Sequence, residues 1–194
     1  MAISLQKGGN ISLTKEAGAT GLANVTVGLG WEARTTTGAA FDLDASAIVC
    51  NAEGKAVDDK SFVFYGNLAN GSGSVQHQGD ERTGDTEGDD EQIKIAVTQL
   101  GAEVDKVVFS ASIYDAEKNG QNFGQVRNAY IRVVNDADGT ELTRYDLSED
   151  ASTETAMLFG ELYRNGDDWK FRAVGAGYAS GLAGIATDFG LNVG

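Results

Sequence analysis

Turn-forming residues constrain this chain more than any other feature, because it contains no proline and 26 glycines among its 194 residues. Without proline, sharp turns depend on glycine, asparagine and aspartate, which adopt positive φ at low cost. Such residues cluster at 51–54, 70–73, 119–120, 138–139 and 165–167. The clusters predict many short strands, and the last one, Asn165-Gly166-Asp167, predicts a hairpin between two aromatic strands.

Seven segments between these turns alternate apolar and polar side chains and are rich in β-branched or aromatic residues, which is typical of strands. They cover residues 24–31, 41–49, 92–97, 107–114, 129–134, 155–163 and 169–174. Helical patterns are confined to 98–104 and 181–189, so the strand–helix alternation of a parallel sheet is missing. We therefore predict one all-β domain over residues 1–194, an antiparallel β-sandwich of two sheets with one or two short helices.

The segment 80–91 reads D-E-R-T-G-D-T-E-G-D-D-E and carries seven carboxylates around one arginine. Like charges this dense repel one another, so the segment must stay solvated or be neutralised by a cation. Hard oxygen donors on a glycine-rich backbone suit Ca²⁺. The segment is not an EF-hand, because its third, fifth and sixth positions are Arg82, Gly84 and Asp85. A solvated acidic loop and a calcium loop of another design both remain open from this segment alone.

A second set of carboxylates lies in the predicted strand that begins at Phe41. The period of two places Asp42, Asp44 and Ser46 on one face and the apolar residues between them on the other. A strand is stiffer than a loop, so these aspartates could serve as preorganised metal ligands against which the acidic segment closes. Alternatively, they line a solvent-facing edge, where charge discourages aggregation between strands.

The overall charge limits the classes of partner. The chain has 15 basic and 29 acidic residues and a net charge of -14, which opposes binding to nucleic acid or to an anionic membrane surface. A single cysteine forms no internal disulfide, and no stretch approaches the roughly 20 apolar residues that span a bilayer. The first ten residues lack the features of a leader peptide. We expect a cytoplasmic protein that does not insert into the membrane.

Six ordered motifs resemble those of the TerD family of tellurium-resistance and stress-response proteins. They are SLQKGGNISLTK (4–15), VTVGLGW (25–31), FDLDASA (41–47), HQGDERTGDTEGDDE (77–91), VVFSASIYDA (107–116) and FGQVRNAYIRVVN (123–135). The resemblance implies a two-sheet β-sandwich that binds calcium, typically two ions near one edge. It also implies partners among other tellurium-resistance and stress proteins, at the inner face of the membrane.

Carried over residue by residue, the resemblance implies a calcium ligand set drawn from the strand and from the loop. The side-chain ligands are Asp42, Asp44, Asp80, Asp89, Asp90 and Glu91, with Asp85 as an addition and carbonyl oxygens from Thr83 and Gly84. Calcium takes six to eight oxygens and mixes carboxylate with backbone donors, which is consistent with such a set.

The function we predict is that of a calcium-loaded scaffold or sensor in a stress-response assembly, not an enzyme. One cysteine and two methionines offer no dithiol couple, so direct reduction of tellurite is not expected. Two other classes stay open. A binding module could use calcium and a nearby aromatic ring to hold a sugar or a phosphate, and a hydrolase could use the metal as a Lewis acid.

Three further residues or motifs lead to specific expectations. Gly28-x-Gly30 opens a relaxed dinucleotide fingerprint, but Trp31 would block the pyrophosphate and no helix follows, so we predict no nucleotide site. His77 is the only histidine, and we expect it to pack or hydrogen-bond beside the acidic segment. Cys50 follows two apolar residues, which predicts a buried small hydrophobe.

Overall fold

The computed structural model of the chain describes residues 2–32, 38, 41–79, 88–126, 128–147, 154–178 and 180–192. This part of the chain contains twelve strands and three short α-helices. In chain order the strands are β1 (Ile3–Ser4), β2 (Asn10–Ser12), β3 (Asn24–Gly30), β4 (Leu43–Cys50), β5 (Phe62–Val63), β6 (Val75–His77), β7 (Glu91–Ala96), β8 (Lys106–Ile113), β9 (Tyr130–Asn135), β10 (Thr140–Asp146), β11 (Ala156–Asn165) and β12 (Asp168–Tyr178). The helices are α1 (Leu13–Ala17), α2 (Ala116–Asn119) and α3 (Gly181–Asp188).

The strands form two six-stranded sheets. Sheet A has the order β1-β10-β9-β3-β7-β6, and sheet B has the order β2-β12-β11-β8-β4-β5. All pairings are antiparallel except that of the two-residue β1 with β10. The predicted fold class is confirmed, and each of the seven predicted strand segments contains a strand.

Five strands were not predicted, namely β1, β2, β5, β6 and β10. Four of them are only two or three residues long, which is too short to show a periodicity. β10 is longer but reads T-E-L-T-R-Y-D, and few of its residues are apolar. It is held in place by six residue pairs with β9, so its conformation depends on its neighbour.

Alternating side chains of the two sheets meet to form the core. In β4, Leu43, Ala45, Ala47 and Val49 face this interior, while Ile48 and Cys50 point to the outer face of sheet B. That outer face is also covered, because α3 packs Ile185 and Ala186 against it. Every residue of β4 is therefore buried, and the prediction that Cys50 is a buried small hydrophobe is confirmed.

The helix predicted at 181–189 is confirmed as α3, but the helix predicted at 98–104 is wrong. Only a single 3-10 turn, Val97–Gln99, forms at the start of that segment. Gly101 lowers the helical propensity, and the guanidinium of Arg164 binds two carbonyl groups of this non-helical segment. Its Nη2 donates to Gly101 O and its Nε donates to Val104 O, both at 3.2 Å.

The predicted hairpin at residues 165–167 is confirmed. Asn165 of β11 pairs with Asp168 of β12, so Gly166 and Asp167 form the turn. Gly166 has φ of 62°, a left-handed conformation that glycine adopts without steric cost.

Candidate metal centre

The acidic segment connects two neighbouring strands at the edge of sheet A. β6 ends at His77 and β7 begins at Glu91, and the two strands pair antiparallel. On the entering side Gln78 N donates to Gln92 O at 2.9 Å, which continues the ladder past the end of β6. The predicted ligands Asp80, Thr83, Gly84 and Asp85 lie outside the described residues.

The C-terminal end of the acidic segment, Asp90 and Glu91, is hydrogen-bonded to residues close to Asp42 and Asp44. Trp31 N donates to Asp90 Oδ2 at 2.9 Å, and the indole Nε1 of Trp31 donates to Phe41 O at 3.0 Å. Ala45 N donates to Glu91 Oε2 at 2.5 Å. These contacts attach Asp90 and Glu91 to the two sides of the segment that contains Asp42 and Asp44.

Glu91 takes the place of a missing strand at the edge of sheet B. β5 pairs with β4 only at Ala47 and Ile48. Val49 N donates to Ser61 O on the β5 side, and alternation directs Ala45 N to the same side, beyond the end of β5. A buried N–H without an acceptor is costly, and the Glu91 carboxylate, only 2% exposed, accepts it. One side chain from sheet A thereby satisfies the edge of sheet B.

His77 joins the two ends of the acidic segment, so the expectation that it hydrogen-bonds beside the segment is confirmed. Gly79 N donates to His77 Nδ1 at 3.0 Å, so Nδ1 is an acceptor and the ring hydrogen lies on Nε2. Nε2 is 3.3 Å from Glu91 Oε2 and donates to it. Both side chains are buried, and the ring fixes the distance between the two ends.

The strand aspartates differ in their surroundings. Asp44 lies in β4 on the same face as Ser46 and is only 4% exposed, so the solvent-facing alternative is wrong for this residue. Opposite them in β8 are Ser112 and Ser110, and the hydroxyl groups of Ser46 and Ser110 hydrogen-bond to each other. Asp42 precedes β4 and is half-buried, and its carbonyl accepts a hydrogen bond from Tyr114 N at 2.7 Å.

Asp89 lies on the outer face of sheet A, away from these aspartates. Arg132 Nε donates to its Oδ1 at 2.8 Å and Arg132 Nη2 to its Oδ2 at 3.0 Å, a bidentate ion pair. Tyr130 Oη also donates to Oδ1, at 3.0 Å, and Gln92 Nε2 donates to Oδ2, at 3.2 Å. Sequence reasoning missed Tyr130 and Arg132. The signal available was a lone arginine on the polar face of a predicted strand.

This electrostatic environment changes two pKa values. Burial, followed by the charge of the neighbouring Asp89 carboxylate and the hydrogen bond to it, raises the pKa of Tyr130 to about 12. The hydrogen bond to Asp89 also raises the pKa of Arg132 above its usual value. Tyr130 therefore stays protonated and Arg132 stays charged at neutral pH, and both act as donors to Asp89.

The carboxylates that the structure describes have the right chemistry for Ca²⁺ but do not make a complete site. Asp42 Oδ1, Asp90 Oδ1 and Glu91 Oε1 are buried oxygen atoms, which are hard donors suited to this ion. Among the described residues, no group of three or more His, Cys, Asp or Glu side chains is arranged to hold a metal ion. The predicted ligands Asp80, Thr83, Gly84 and Asp85 lie outside the described residues, so the ligand set stays a prediction.

Comparison with known proteins identifies the class of protein that this two-sheet fold and its acidic connection define. The TerD domain family matches residues 1–189, and the chain belongs to the TerD family of tellurium-resistance and stress-response proteins. It is 56% identical over 192 residues to tellurium resistance protein TerD of Serratia marcescens, covering 99% of each chain. It is 51% identical over 195 residues to general stress protein 16U of Bacillus subtilis (strain 168), covering 100% of each.

A solved structure shares the fold. The crystal structure of a homologue of telluride resistance protein (TerD) from Streptomyces coelicolor A3(2) superposes with a TM-score of 0.71 at 23% identity. The alignment covers 88% of this chain and 98% of that one. In the part of the chain that the structure describes, no helix combines the length and the apolar character needed to cross a membrane.

Proposed function

We propose that this protein is a calcium-binding member of the TerD family that acts as a calcium-loaded scaffold or sensor in a stress-response assembly. The ligands we propose are Asp42, Asp44, Asp90 and Glu91, together with predicted ligands of the acidic loop. When bound, the ion neutralises the carboxylates and ties the loop to the strand. Two ions near this edge, as the sequence resemblance implies, would neutralise part of the net charge of -14.

Three hydrogen bonds carry this proposal. Trp31 N to Asp90 Oδ2, Trp31 Nε1 to Phe41 O, and Ala45 N to Glu91 Oε2 attach the carboxylates at the loop end to the chain that bears the strand aspartates. A carboxylate held by backbone N–H groups is positioned by the fold, so it needs little reorganisation to bind an ion. The charge repulsion within 80–91 supplies the driving force for taking up a cation.

Calorimetric titration with CaCl₂ of chelator-treated protein tests the proposal. We expect saturable binding, and a higher thermal midpoint because a ligand at a hundredfold excess over its Kd adds about 2.7 kcal/mol of stability per site. Asp44→Asn should weaken binding or remove a site. Asp167→Asn is the matched control, since it removes the same charge from an exposed position in the β11–β12 turn.

Two outcomes of this titration would argue against the proposal. One is a flat titration of wild-type protein that is folded by circular dichroism. The other is an Asp44→Asn variant that binds calcium as the Asp167→Asn control does. Titration with MgCl₂ tests ion selectivity, because Mg²⁺ requires a smaller octahedral site.

A non-enzymatic role is supported by the environment of the single cysteine. Cys50 is fully buried, and burial raises its pKa to about 12, so the thiolate that would react with tellurite is scarce at neutral pH. We propose that the protein contributes to resistance through other tellurium-resistance and stress proteins. Co-purification of such partners with and without a chelator should show calcium-dependent assembly. Catalytic reduction of tellurite by the purified protein would contradict this role.

The second candidate is a calcium-dependent module for a small ligand such as a sugar or a phosphate. Tyr65 and Tyr114 favour it, because they are 43% and 49% exposed and their rings pack edge to face 6.3 Å apart. Tyr114 is attached to Asp42 through its backbone N–H, so the rings lie beside the strand aspartates. Exposed aromatic rings are suitable platforms for sugars.

Linkage between the two ligands tests this second candidate. If a sugar or phosphate binds at the ion, it must tighten calcium binding by a certain factor, and calcium must tighten the binding of the sugar or phosphate by the same factor. Calcium titrations with and without a panel of sugars and phosphates measure that factor, and Tyr65→Ala should abolish it. Unchanged calcium affinity across the panel would leave the scaffold or sensor role as the better account.

A further inference from the structure

Asp89, which the family resemblance implies as a calcium ligand, has both carboxylate oxygens engaged by protein donors. Oδ1 accepts from Arg132 Nε and Tyr130 Oη, and Oδ2 accepts from Arg132 Nη2 and Gln92 Nε2, at distances from 2.8 to 3.2 Å. The side chain is 1% exposed. To bind an ion, this carboxylate would have to give up donors that include a bidentate guanidinium, which is the strongest type of hydrogen-bonded pair among side chains.

The sheet beneath Asp89 is shaped to receive its carboxylate. In the register of sheet A, Gly28 of β3 lies directly opposite Gln92 of β7 and Arg132 of β9, so the three positions share the outer face. Glycine leaves that face open between the two donors, and a Cβ added there would overlap the Asp89 carboxylate. The resulting notch has an amide on one side and a guanidinium on the other.

The neighbouring positions complete the notch. A Cβ added to Gly30 would overlap the Tyr130 ring. Glycine at this position therefore leaves room for Tyr130, which donates to Asp89 Oδ1. The guanidinium carbon of Arg144 lies 3.9 Å from the centre of the Tyr130 ring, which holds the ring from its other side. Gly28-x-Gly30, which resembles a nucleotide fingerprint in the sequence, is thus explained by the packing of Asp89 and Tyr130.

We propose that Asp89 is a positioning residue that anchors the C-terminal end of the acidic segment to sheet A and does not ligate calcium. The part of this proposal that concerns calcium rests on the proposed function. The next residue, Asp90, donates its N–H to Leu29 O at 2.9 Å, and Glu91 begins β7. The anchor therefore fixes the register at which Asp90 and Glu91 reach Trp31 and Ala45. Arg132 acts only through Asp89.

Calcium titration of Arg132→Met tests the anchor, because the two possible roles of Asp89 predict different changes in calcium affinity. If Asp89 is a ligand, removing a positive charge beside it should leave calcium affinity unchanged or increase it. If Asp89 is an anchor, affinity should fall by roughly 10- to 100-fold, as for other partners that orient metal ligands, with the number of sites unchanged. Arg172→Met is the matched control, since it removes the same charge from the partly exposed Arg172–Glu161 pair on sheet B.

Asp89→Asn and the double variant make the test quantitative. An anchor predicts that Asp89→Asn weakens calcium binding at least as much as Arg132→Met, because it also disturbs the hydrogen bonds from Tyr130 and Gln92. Adding Arg132→Met to Asp89→Asn should then cause no further loss, because Arg132 acts only through Asp89. A ligand predicts a loss for Asp89→Asn without any loss for Arg132→Met. Equal or tighter binding by Arg132→Met, or a further loss in the double variant, would overturn the proposal.

Amide hydrogen exchange in chelated protein separates this proposal from the calcium proposal. Arg132→Met should accelerate exchange of the Asp90 N–H, whereas Arg172→Met should not, whether or not wild-type protein binds calcium. Unchanged exchange in Arg132→Met would overturn the anchor. If Arg132→Met fails to fold, Arg132→Lys keeps the charge but lacks the bidentate fork, and the same weakening and faster exchange are expected of it.

Discussion

Glu91 is a buried carboxylate whose contacts are structural before any ion binds. It accepts the edge N–H of Ala45 and a hydrogen bond from His77, and thereby connects the two sheets beside the acidic connection. The same carboxylate is one of the proposed calcium ligands, so its structural contacts can be tested apart from any ion.

Replacement of Glu91 by alanine should therefore destabilise the protein even without calcium. We expect the free energy of unfolding to fall by about 1 to 3 kcal/mol, because Ala45 N–H loses its acceptor in a buried position. Urea unfolding in the presence of chelator measures this change. Glu53→Ala, at an exposed position in the turn after β4, is the control. Equal stability of the two variants would contradict the structural role.

Gly28 is a second residue whose importance lies in what it leaves open. Gly28→Ala should cost about 1 to 3 kcal/mol, because the added methyl group overlaps the Asp89 carboxylate in a packed notch. Gly71→Ala is the matched control, because a Cβ there approaches only one side-chain oxygen, at 4.0 Å. Thermal unfolding of both variants in chelator measures the difference. If Gly28→Ala is as stable as Gly71→Ala, the notch does not constrain this position.

Among the elements, α3 helps to explain why sheet B carries apolar side chains on both of its faces. Ile48 and Cys50 of β4 and Val108 of β8 point away from the sandwich interior, and they are buried in a second apolar cluster that includes Ile185 and Ala186 of α3. The helix is amphipathic, because Ile185 and Ala186 are fully buried on the side that faces the sheet and Ala183 is exposed.

Ile185→Ala tests how much this helix contributes. We expect a loss of about 2 to 5 kcal/mol, typical of truncating a fully buried aliphatic side chain. Ala183→Ser on the exposed side of the same helix should change stability by less than about 0.5 kcal/mol. Denaturant titration of both variants provides the comparison. A cost below 1 kcal/mol for Ile185→Ala would indicate that α3 detaches without affecting the sheets.

At the scale of the whole molecule, titration of buried acids should limit stability at alkaline pH. Burial raises the pKa of Cys50 from 9.0 to about 12, and burial beside Asp89 raises that of Tyr130 from 10.0 to about 12. As pH rises, the unfolded chain loses these protons first, so unfolding releases protons and the free energy of unfolding falls. This contribution is complete below pH 9 and is lost as pH rises from about 9 to 12.

Urea unfolding at a series of pH values between 8 and 11 measures this loss. Cys50→Ala should be less stable than wild type at pH 8, since it truncates a buried side chain, but its stability should decline less steeply with pH. Tyr130→Phe should flatten the curve above pH 10 in the same way. Curves that run parallel to wild type would show that these two groups do not control the alkaline decline.

The acidic segment 80–91 shows how far sequence reasoning reaches at a candidate functional site. Its residue types, its place between two strands and its motif match are all local properties, and they were enough to predict the family and the position of His77 beside the segment. The cation site that they also indicate stays a prediction. The contacts of Asp89 could not be predicted, because Gly28, Gln92 and Arg132 come from three strands that are far apart in the chain. The same holds for the contacts of Arg164, which donates from β11 to the carbonyl groups of Gly101 and Val104.

The sequence by itself determined seven of the twelve strands in the described part of the chain, the largely antiparallel pairing of the sheets, and which residues carry the negative charge. These properties follow from side-chain periodicity, turn residues and composition, which act over a few residues. Only the tertiary structure decided which strands are buried on both faces and which protein groups donate hydrogen bonds to each carboxylate. The reason is that register and sheet order join positions more than a hundred residues apart, as Gly28 and Arg132 do, and no local pattern records that pairing.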